Sequence, residues 1–445
     1  MAKHNIILTK QGNTAKGTIQ LTGSKSECNR ALILEALSDG EVKVENISDA
    51  ADAVTLKSIL DTTKMEPPQL FVQTRKIDEH GKVTTSGPVL TTGVESGRQV
   101  DVGPAGTAMR FLTAYLPLLN KNVTLTGSAR MQQRPIGILV DAMRKLGATI
   151  DYVNNEGYPP IHIHSGFEQQ TNAITIKGDI SSQYITALLL IAPKLSQGLE
   201  LHIEGELTSK PYVEMTLAML NQTGIRHSWA DNVITIQPQD FTPTTLYVEP
   251  DWSAASYWYA IAALSDEAEL FLPGLTPYSL QGDSVITEIM ANFGITSVFK
   301  GGGVYLTKEA KPIARKIFDM KECPDLAQTV IVVCAALGHE ATFTGLETLK
   351  IKETDRVLAL QTELAKMGVK LIEKGQVYKL DCSERNLPQH MFISTYDDHR
   401  MAMAFAPLAI LIPELEVEDA EVVNKSYPAF WTDLEKVGFK SEPLS

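Results

Sequence analysis

The stretch GILVDAMRKLGATIDYVNNEGYPPIHI (residues 137–163) decides the fold of this chain, because its pattern returns later in the sequence. Apolar residues recur at helical spacing up to a glycine, and two strand-like segments joined by a turn follow. The same order recurs over residues 213–236, 283–307 and 357–380, and residues 428–440 form a shorter fifth copy. The chain is therefore built from a repeated supersecondary unit.

A glycine after each helix marks the repeat. Successive marker glycines are 77, 70, 74 and 70 residues apart, and each is predicted to cap its helix in the left-handed region. The marker glycines are Gly147, Gly224, Gly294, Gly368 and Gly438. The segment DAVTLKSILDTTKM (residues 52–65) is predicted to be the helix of a sixth unit. A chain of 445 residues favours two domains, which gives three units per domain.

A second kind of helix lies between the copies. It is more strongly apolar and opens with polar residues, so we expect a buried helix with an accessible first turn. The six segments are GSKSECNRALIL, GPAGTAMRFLTAYL, GDISSQYITALLLIAP, EPDWSAASYWYAIAAL, KECPDLAQTVIVVCAAL and TYDDHRMAMAFAPLAIL. Free N–H groups at helix N-termini bind anions, and similar repeats would bring these termini to one cleft.

Composition excludes several classes of protein. The formal net charge of -13 argues against a nucleic-acid binder, which needs an excess of Lys and Arg. Four cysteines without CxxC spacing predict a reduced protein without structural zinc. The N-terminus lacks the apolar run of a signal peptide, and the longest apolar stretch is too short to span a bilayer, so we expect a cytoplasmic protein. The polar segment 64–99 predicts an elaborated strand and loop region.

Two charged clusters at helix starts point to chemistry. In IKETDRVLAL, Lys352 and Arg356 are a like-charge pair one turn apart, unfavourable unless Glu353 or an anion intervenes. In STYDDHRMAMAF, His399 and Arg400 precede a buried helix, which favours acid/base and anion-binding roles.

Other polar groups leave alternatives open. Arg130 and Arg134 could each hold a carboxylate or phosphate, or could form surface ion pairs. GSKSECNR taken alone is also compatible with an ordinary capped helix. His162 and His164 face one side of a strand, but no third ligand is near and no metal site is expected. Together these groups suit substrates rich in phosphate and carboxylate, with Asp325 and Glu353 as isolated acids for proton transfer.

Nine motifs in order resemble one known family. They are GSKSxxNR, AGTAMR, RMxxRPI, SSQY, SKPY, PDxA, KETDR, DDHRMAM and the Lys425 of NKSYP. In this order and over nearly the whole chain, they are similar to the 5-enolpyruvylshikimate-3-phosphate synthase family. The resemblance implies a two-domain inside-out α/β barrel of six βαβαββ repeats, three per domain, with the active site in the cleft. It implies domains over residues 23–248 and over residues 1–22 plus 249–445.

The resemblance also implies an activity without a cofactor or metal. The enolpyruvyl group of phosphoenolpyruvate would pass to the 5-hydroxyl of shikimate 3-phosphate, with release of phosphate. The resemblance implies catalytic roles for Asp325, Glu353 and Lys25, to which the STYDDHRMAMAF cluster adds His399. The residues implied for shikimate 3-phosphate are Lys25, Ser26, Arg30, Ser181, Ser182, Gln183, Ser209, Tyr212, Asp325 and Lys352. Those implied for phosphoenolpyruvate are Lys25, Gly106, Arg130, Gln183, Arg356, Arg400 and Lys425.

The chain departs from the family pattern at several positions. Pro250 and Trp252 stand at the second crossover, and Thr348 replaces a common Asn near the shikimate phosphate. Pro104 and Phe111 flank the glycine where the inhibitor glyphosate would compete, although Gly106 itself suggests a glyphosate-sensitive enzyme. Two alternative functions are considered. One is a UDP-N-acetylglucosamine enolpyruvyl transferase, whose usual loop cysteine is missing here, and the other is a non-catalytic binding protein. The family implies a monomer acting on small molecules.

Overall fold

A computed structural model describes residues 4–64, 98–179 and 181–444, together with four short strands between residues 71 and 90. The α-helices within these residues are α1 Lys25–Leu37, α2 Ala51–Lys64, α3 Gly106–Tyr115, α4 Gly137–Leu146, α5 Ser182–Ile191, α6 Lys210–Gln222, α7 Trp252–Leu264, α8 Ile286–Ala291, α9 Ala327–Leu337, α10 Arg356–Ala365, α11 His399–Phe405 and α12 Phe430–Lys436.

The strands follow in chain order. They are β1 Ile6–Lys10, β2 Thr14–Thr18, β3 Val42–Glu45, β4 Phe71–Val72, β5 Arg75–Ile77, β6 Val83–Thr85, β7 Val89–Leu90, β8 Arg98–Asp101, β9 Val123–Thr126, β10 Ile150–Tyr152, β11 Ile161–Ile163, β12 Ala173–Lys177, β13 Leu199–Glu204, β14 His227–Ala230, β15 Val233–Ile236, β16 Thr244–Tyr247, β17 Glu267–Pro273, β18 Ile295–Lys300, β19 Gly303–Lys308, β20 Ile317–Asp319, β21 Ala341–Thr344, β22 Lys370–Lys374, β23 Val377–Asp381, β24 His390–Ile393, β25 Glu414–Val417 and β26 Phe439–Pro443.

The unit β12-α5-β13-α6-β14-β15 shows the repeat in full. Its sheet has the order β12-β13-β15-β14, in which the first pair is parallel and the other two pairs are antiparallel. The sheets β8-β9-β11-β10 and β20-β21-β23-β22 are built in the same way. The crossover between the parallel strands carries a buried helix, as a parallel connection requires.

Strands from the N-terminus complete two further sheets. β2 pairs in parallel with β17, and β1 lies between β25 and β26. The sixth sheet pairs β3 with β16. These six sheets with their helices are the six predicted repeats, so the predicted fold class is confirmed.

Burial explains why the two kinds of helix take different places. In α7 every residue except Ser253 is buried, because a helix that is apolar on all sides must be covered on all sides. In α4, by contrast, the buried residues are Leu139, Val140, Ala142, Met143 and Leu146, which form one face. Gly147 ends α4 with φ 115°, in the left-handed region.

Two separate apolar cores form. The buried residues of one core lie between Cys28 and Val248 in the sequence. Those of the other core lie in two stretches, from Ile6 to Leu21 and from Trp252 to Phe439. The chain passes between them at two adjacent crossovers, where Gly23 and Pro250 form an isolated antiparallel bridge. The Ser24 N–H donates to the Glu249 carbonyl at 2.7 Å, and the Asp251 N–H donates to the Thr22 carbonyl at 2.9 Å. The predicted domain boundaries stay a prediction, which the two cores support.

Much of the 64–99 segment, and with it the predicted elaboration, lies outside the described residues. Within it, β4 pairs with β7 and β5 pairs with β6, both antiparallel. In the described parts of the chain, no helix is long and apolar enough to cross a membrane.

Gly23→Ala is expected to lower the free energy of unfolding by about 2 to 3 kcal/mol, because overpacking a tight backbone contact carries a penalty of this size. A Cβ at this position would lie 2.5 Å from the carbonyl oxygen of Asn46. Urea unfolding followed by circular dichroism measures the change. Gly12→Ala is the control, since its φ of 71° is strained but nothing lies within 4 Å, and it should lose only about 1 kcal/mol. Equal losses in both variants would contradict the steric explanation.

Candidate active site

A cavity between the two cores is lined by the first turns of helices from both. It contains the starts of α1, α3, α5 and α6 from one core, and those of α10 and α11 with the turn before α9 from the other. Of the predicted site residues, it brings together Lys25, Ser26, Arg30, Gly106, Ser181, Ser182, Gln183, Ser209, Tyr212, Asp325, Lys352, Glu353, Arg356, His399 and Arg400.

Arg130 and Lys425 lie at a neighbouring opening that shares Glu353 and Arg134 with the cavity. Arg130 donates to the backbone carbonyls of Glu353 at 2.9 Å and of Lys352 at 3.1 Å. Lys425 Nζ lies 2.8 Å from Glu353 Oε1 and 3.2 Å from the Pro104 carbonyl. Both side chains therefore bridge the two cores beside the cavity.

Arg356 is the centre of a buried ion cluster. Its side chain is 2% exposed, and its Nε lies 2.7 Å from Asp398 Oδ2. Its Nη2 is 3.0 Å from Glu353 Oε2, and its Nη1 is 3.2 Å from Asp325 Oδ1. Asp398 also caps α11 by accepting from the Arg400 N–H at 2.9 Å. The cluster thus fixes the start of α10 against the start of α11.

Asp325 is held between two arginines. Its Oδ2 accepts from Arg400 Nη2 at 2.7 Å, opposite the Arg356 contact. Burial acts to raise the pKa of Asp325, but Arg400, Lys352, Arg356 and Lys25 outweigh it, and the pKa ends well below its usual range. The carboxylate is therefore ionised and has the form of a proton acceptor.

The pKa of Glu353 is set by the same two opposing effects, burial and nearby positive charges. Burial raises its pKa, but the charges of Lys425, Arg356 and Arg134 lower it well below the usual value. Arg134 Nη1 is 3.8 Å from Glu353 Oε1. An ionised Glu353 can accept a proton but cannot donate one.

Two groups in the cavity lose positive charge more easily than usual. The pKa of Lys352 is lowered by burial, although Asp325 partly opposes the effect. The pKa of His399 is lowered far below its ordinary value by burial and then by Lys25, Arg400 and Lys425. Its ring is 1% exposed, and neither ring nitrogen has a hydrogen-bond partner among the described residues. The ring lines the cavity as a neutral imidazole, and its Nδ1 lies 3.5 Å from Asp398 Oδ1.

Arg30 is held mainly by its own core. It donates to Thr216 Oγ1 at 2.9 Å, to the Ser26 carbonyl at 2.7 Å and to the Tyr212 carbonyl at 3.2 Å. Its guanidinium lies over the rings of Phe111 and Tyr212, at 5.7 and 5.8 Å from their centroids. Phe111 therefore supports Arg30 from below.

Sequence reasoning missed several residues. Arg134, named as a candidate beside Arg130 but not assigned to the site, lines the cavity, and Asp52 Oδ2 lies 3.4 Å from Lys25 Nζ. A Cβ on Gly106 would come within 2.6 Å of Arg134 Nη1, so glycine there admits the guanidinium. The two RMxxRPI arginines could have been assigned together, but nothing in the sequence pairs Asp52 with Lys25.

The histidine pair His162 and His164 lies away from the cavity. Their ring centroids are 4.5 Å apart, His164 Nε2 is 2.7 Å from Asp151 Oδ2, and His162 Nδ1 is 2.9 Å from Thr124 Oγ1. Across the described ranges, no three potential metal ligands cluster.

Residues 9–434 match the family described as EPSP synthase (3-phosphoshikimate 1-carboxyvinyltransferase). A 3-phosphoshikimate 1-carboxyvinyltransferase of Bacteroides fragilis (strain YCH46) is 46% identical over 426 residues, which cover 95% of this chain and 96% of the relative. The enzyme of that name from Xenorhabdus nematophila is 36% identical over 425 residues, 95% of this chain and 96% of its own. This chain belongs to the EPSP synthase family.

Solved structures show the same fold. An EPSP synthase from Acinetobacter baumannii matches with a TM-score of 0.71 at 20% identity, covering 99% of this chain and all of its own. The enolpyruvyl transferase NikO from Streptomyces tendae matches with a TM-score of 0.69 at 15% identity, covering both chains fully. The predicted family is confirmed by the sequence relatives, and these likenesses concern the fold.

The departures from the EPSP synthase pattern occupy defined places. Thr348 lines the cavity, and its buried Oγ1 has no hydrogen-bond partner in the described part of the chain. The Trp252 indole N–H donates to Glu249 Oε1 at 3.1 Å, which ties α7 to the crossover. Pro104 contributes its carbonyl to Lys425.

Asp398→Asn is expected to lower the free energy of unfolding by about 3 kcal/mol, because it removes one charge from a buried ion cluster and leaves Arg356 poorly compensated. Thermal and urea unfolding of both proteins give the difference. Asp240→Asn, at a fully exposed side chain, is the control and should change stability little. A stability of Asp398→Asn equal to that of the control would remove Asp398 from its anchoring role.

Proposed function

We propose that this chain transfers the enolpyruvyl group from phosphoenolpyruvate to the 5-hydroxyl of shikimate 3-phosphate, releasing phosphate, within aromatic amino-acid biosynthesis. One observation carries the proposal. Seven cationic side chains but only three acidic ones line the cavity among the described residues, in a chain whose formal net charge is -13. Such local excess of positive charge suits two substrates that carry phosphate and carboxylate groups.

Shikimate 3-phosphate is assigned to the side of the cavity formed by α1, α5 and α6. Ser181 caps α5, and its Oγ accepts from the Gln183 N–H at 3.3 Å. The N-terminus of α5 offers N–H groups and a positive dipole end to a phosphate. Ser182, Ser209, Tyr212, Ser26 and Arg30 complete this side, and Lys352 reaches in from the other core.

Phosphoenolpyruvate is assigned to the side formed by α10, α11 and α3. Arg356 and Arg400 are the central cations, and Gly106 offers its backbone N–H at the start of α3. Lys25, Gln183, Arg130 and Lys425 are assigned to the same ligand. Arg130 and Lys425 already bridge the cores, so bound ligand and closure of the cleft would reinforce one another and exclude water.

The groups present suit an addition followed by an elimination. In the addition, Asp325 takes the proton of the 5-hydroxyl, Lys25 protonates the methylene carbon of phosphoenolpyruvate, and a C–O bond forms at its central carbon. In the elimination, Glu353 takes a proton from the new methyl group as the bond to phosphate breaks. Arg356 and Arg400 stabilise the departing phosphate, and His399 is assigned to the site as a neutral hydrogen-bonding group.

Phosphate release tests the activity directly. The protein mixed with phosphoenolpyruvate and shikimate 3-phosphate is expected to release phosphate, while phosphoenolpyruvate with UDP-N-acetylglucosamine is not. Release only with the sugar nucleotide would favour the rival transferase. Binding of these ligands without release of phosphate in either mixture would favour a non-catalytic binding protein. Size-exclusion chromatography with light scattering tests the accompanying proposal of a monomer, and the cytoplasm is the proposed location.

Asp325→Ala is expected to retain binding of shikimate 3-phosphate but to lower kcat by about 10²- to 10⁴-fold, the range for loss of a general base. Calorimetric titration measures binding, and phosphate release measures turnover. Asp319→Ala, an exposed aspartate of the same core, is the control. Turnover by Asp325→Ala at the level of the control would remove Asp325 from the reaction.

Glyphosate is expected to inhibit phosphate release in competition with phosphoenolpyruvate, because Gly106 keeps the start of α3 open beside Arg134. The inhibition constant is measured at several phosphoenolpyruvate concentrations. Gly106→Ala, whose Cβ would press on Arg134 Nη1, should weaken inhibition. A curve that stays flat into the millimolar range for the unmodified protein would overturn the expected sensitivity.

A further inference from the structure

Asp283 is a buried acid that neither the sequence motifs nor the cavity lining includes. It lies in a short 3₁₀ helix, Gly282–Val285, and is 3% exposed. A Cβ on the preceding Gly282 would lie 2.5 Å from the Pro211 Cβ at the start of α6, so this turn presses against the other core. Asp283 therefore stands directly behind the wall of the proposed site.

The hydrogen bonds of Asp283 are too few for a buried carboxylate. Its Oδ2 accepts from the Ser253 hydroxyl. Its Oδ1 is buried and has no hydrogen-bond partner among the described residues. Burying an ionised carboxyl without a cation or several donors is expensive, whereas the neutral acid avoids most of this penalty.

A chain of contacts joins Asp283 to the proposed base. Ser253 Oγ, which donates to Asp283, also lies 3.4 Å from Arg400 Nη2. The same Nη2 donates to Asp325 Oδ2 at 2.7 Å. Two carboxyl groups thus compete for one guanidinium, directly in the case of Asp325 and through a serine in the case of Asp283.

Their surroundings shift the pKa values of Asp283 and Asp325 in opposite directions. Burial and the charge of Asp325 raise the pKa of Asp283 to about 7, with Asp251 adding to the rise, while Arg400 and the Ser253 hydrogen bond oppose it. Tyr212 and Cys323 also face Asp283, and burial raises the pKa of each, so both stay uncharged at neutral pH. When the pKa values of two neighbouring acids differ in this way, one acid is charged and the other is neutral at the same pH.

We propose that Asp283 is a positioning residue that works as the neutral acid, so that Arg400 stays directed at Asp325 and at the anion of phosphoenolpyruvate. The inference rests on the proposed function for its effect on turnover. Below neutral pH the acid is protonated and Arg400 keeps its orientation. As pH rises, Asp283 ionises behind Ser253. Its negative charge attracts the Arg400 guanidinium away from phosphoenolpyruvate and weakens the binding of that substrate.

Steady-state kinetics of the full chain and of Asp283→Asn tests this. In the unmodified protein, KM for phosphoenolpyruvate is expected to rise about tenfold between about pH 6 and about pH 9, the effect of a coupling near one pKa unit. In Asp283→Asn, which cannot ionise, the rise should be less than about twofold, with kcat following the same pH profile in both. The titration of phosphoenolpyruvate itself is common to both proteins and cancels in their ratio.

Asp240→Asn, an exposed aspartate in the other core, is the matched control and should keep the rise in KM. Parallel KM profiles for the unmodified protein and Asp283→Asn would overturn the proposal. So would a large loss of kcat in a folded Asp283→Asn at every pH, because the ionised carboxylate would then be the working form.

Infrared spectroscopy gives a readout that does not depend on turnover. At pH 6 to 7 the carbonyl band of protonated carboxylic acids is expected to lose intensity in Asp283→Asn. Burial also raises the pKa of Glu27, to about 8, but its share of the band is common to both proteins and cancels in their difference. If the unmodified protein released no phosphate, the proposed function would fail, and this band would still decide the protonation state of Asp283. Identical carbonyl bands in the unmodified protein and in Asp283→Asn would overturn the inference.

Discussion

The site depends on the pairing of Arg356 with three carboxylates at the junction of two buried helices. A guanidinium removed from water needs anionic partners, and these carboxylates need a cation for the same reason. Asp398 supplies the rigid part of this arrangement, because it also caps α11. Asp325 and Glu353 are positioned by their contacts with Arg356, and Arg400 by the cap that Asp398 provides. Acid/base groups and anion-binding groups therefore share a single ion cluster.

The inner helices explain how such a cluster is tolerated. Their apolar surfaces fill the two cores, and only their first turns reach the cavity. Polar groups are therefore concentrated where N–H groups are free and where the dipoles are positive. Glycine at 106 and at 282 then permits approaches that any side chain would block. The site is rigid on each side because the groups that line it belong to the ends of packed helices.

The sequence alone predicted the repeat, the buried inner helices and most of the cavity residues. The regular glycines and ordered motifs carry that information, since each reflects a local requirement of the backbone or of a ligand. It could not predict which charges pair, because partners such as Lys25 and Asp52, or Arg356 and Asp398, are set by tertiary contacts. Asp283 was missed for a related reason, since an acid in an ordinary amphipathic segment gives no signal of burial. Arg130 and Lys425 were named as ligands, but their contacts across the two cores appear only in the fold.

The placement of β1 and β2 has a consequence for the order of synthesis. These strands are synthesised long before their partners, because in the described parts of the chain β1 pairs with β25 and β26, and β2 pairs with β17. The core spanning residues 28–248 can gather its apolar residues while the first strands still wait for partners made hundreds of residues later. Unpaired strands are prone to join other chains, and such distant pairing is slow. β1 and β2 therefore stay without their partner strands until β17, β25 and β26 have been synthesised, a period in which chaperones can protect such strands.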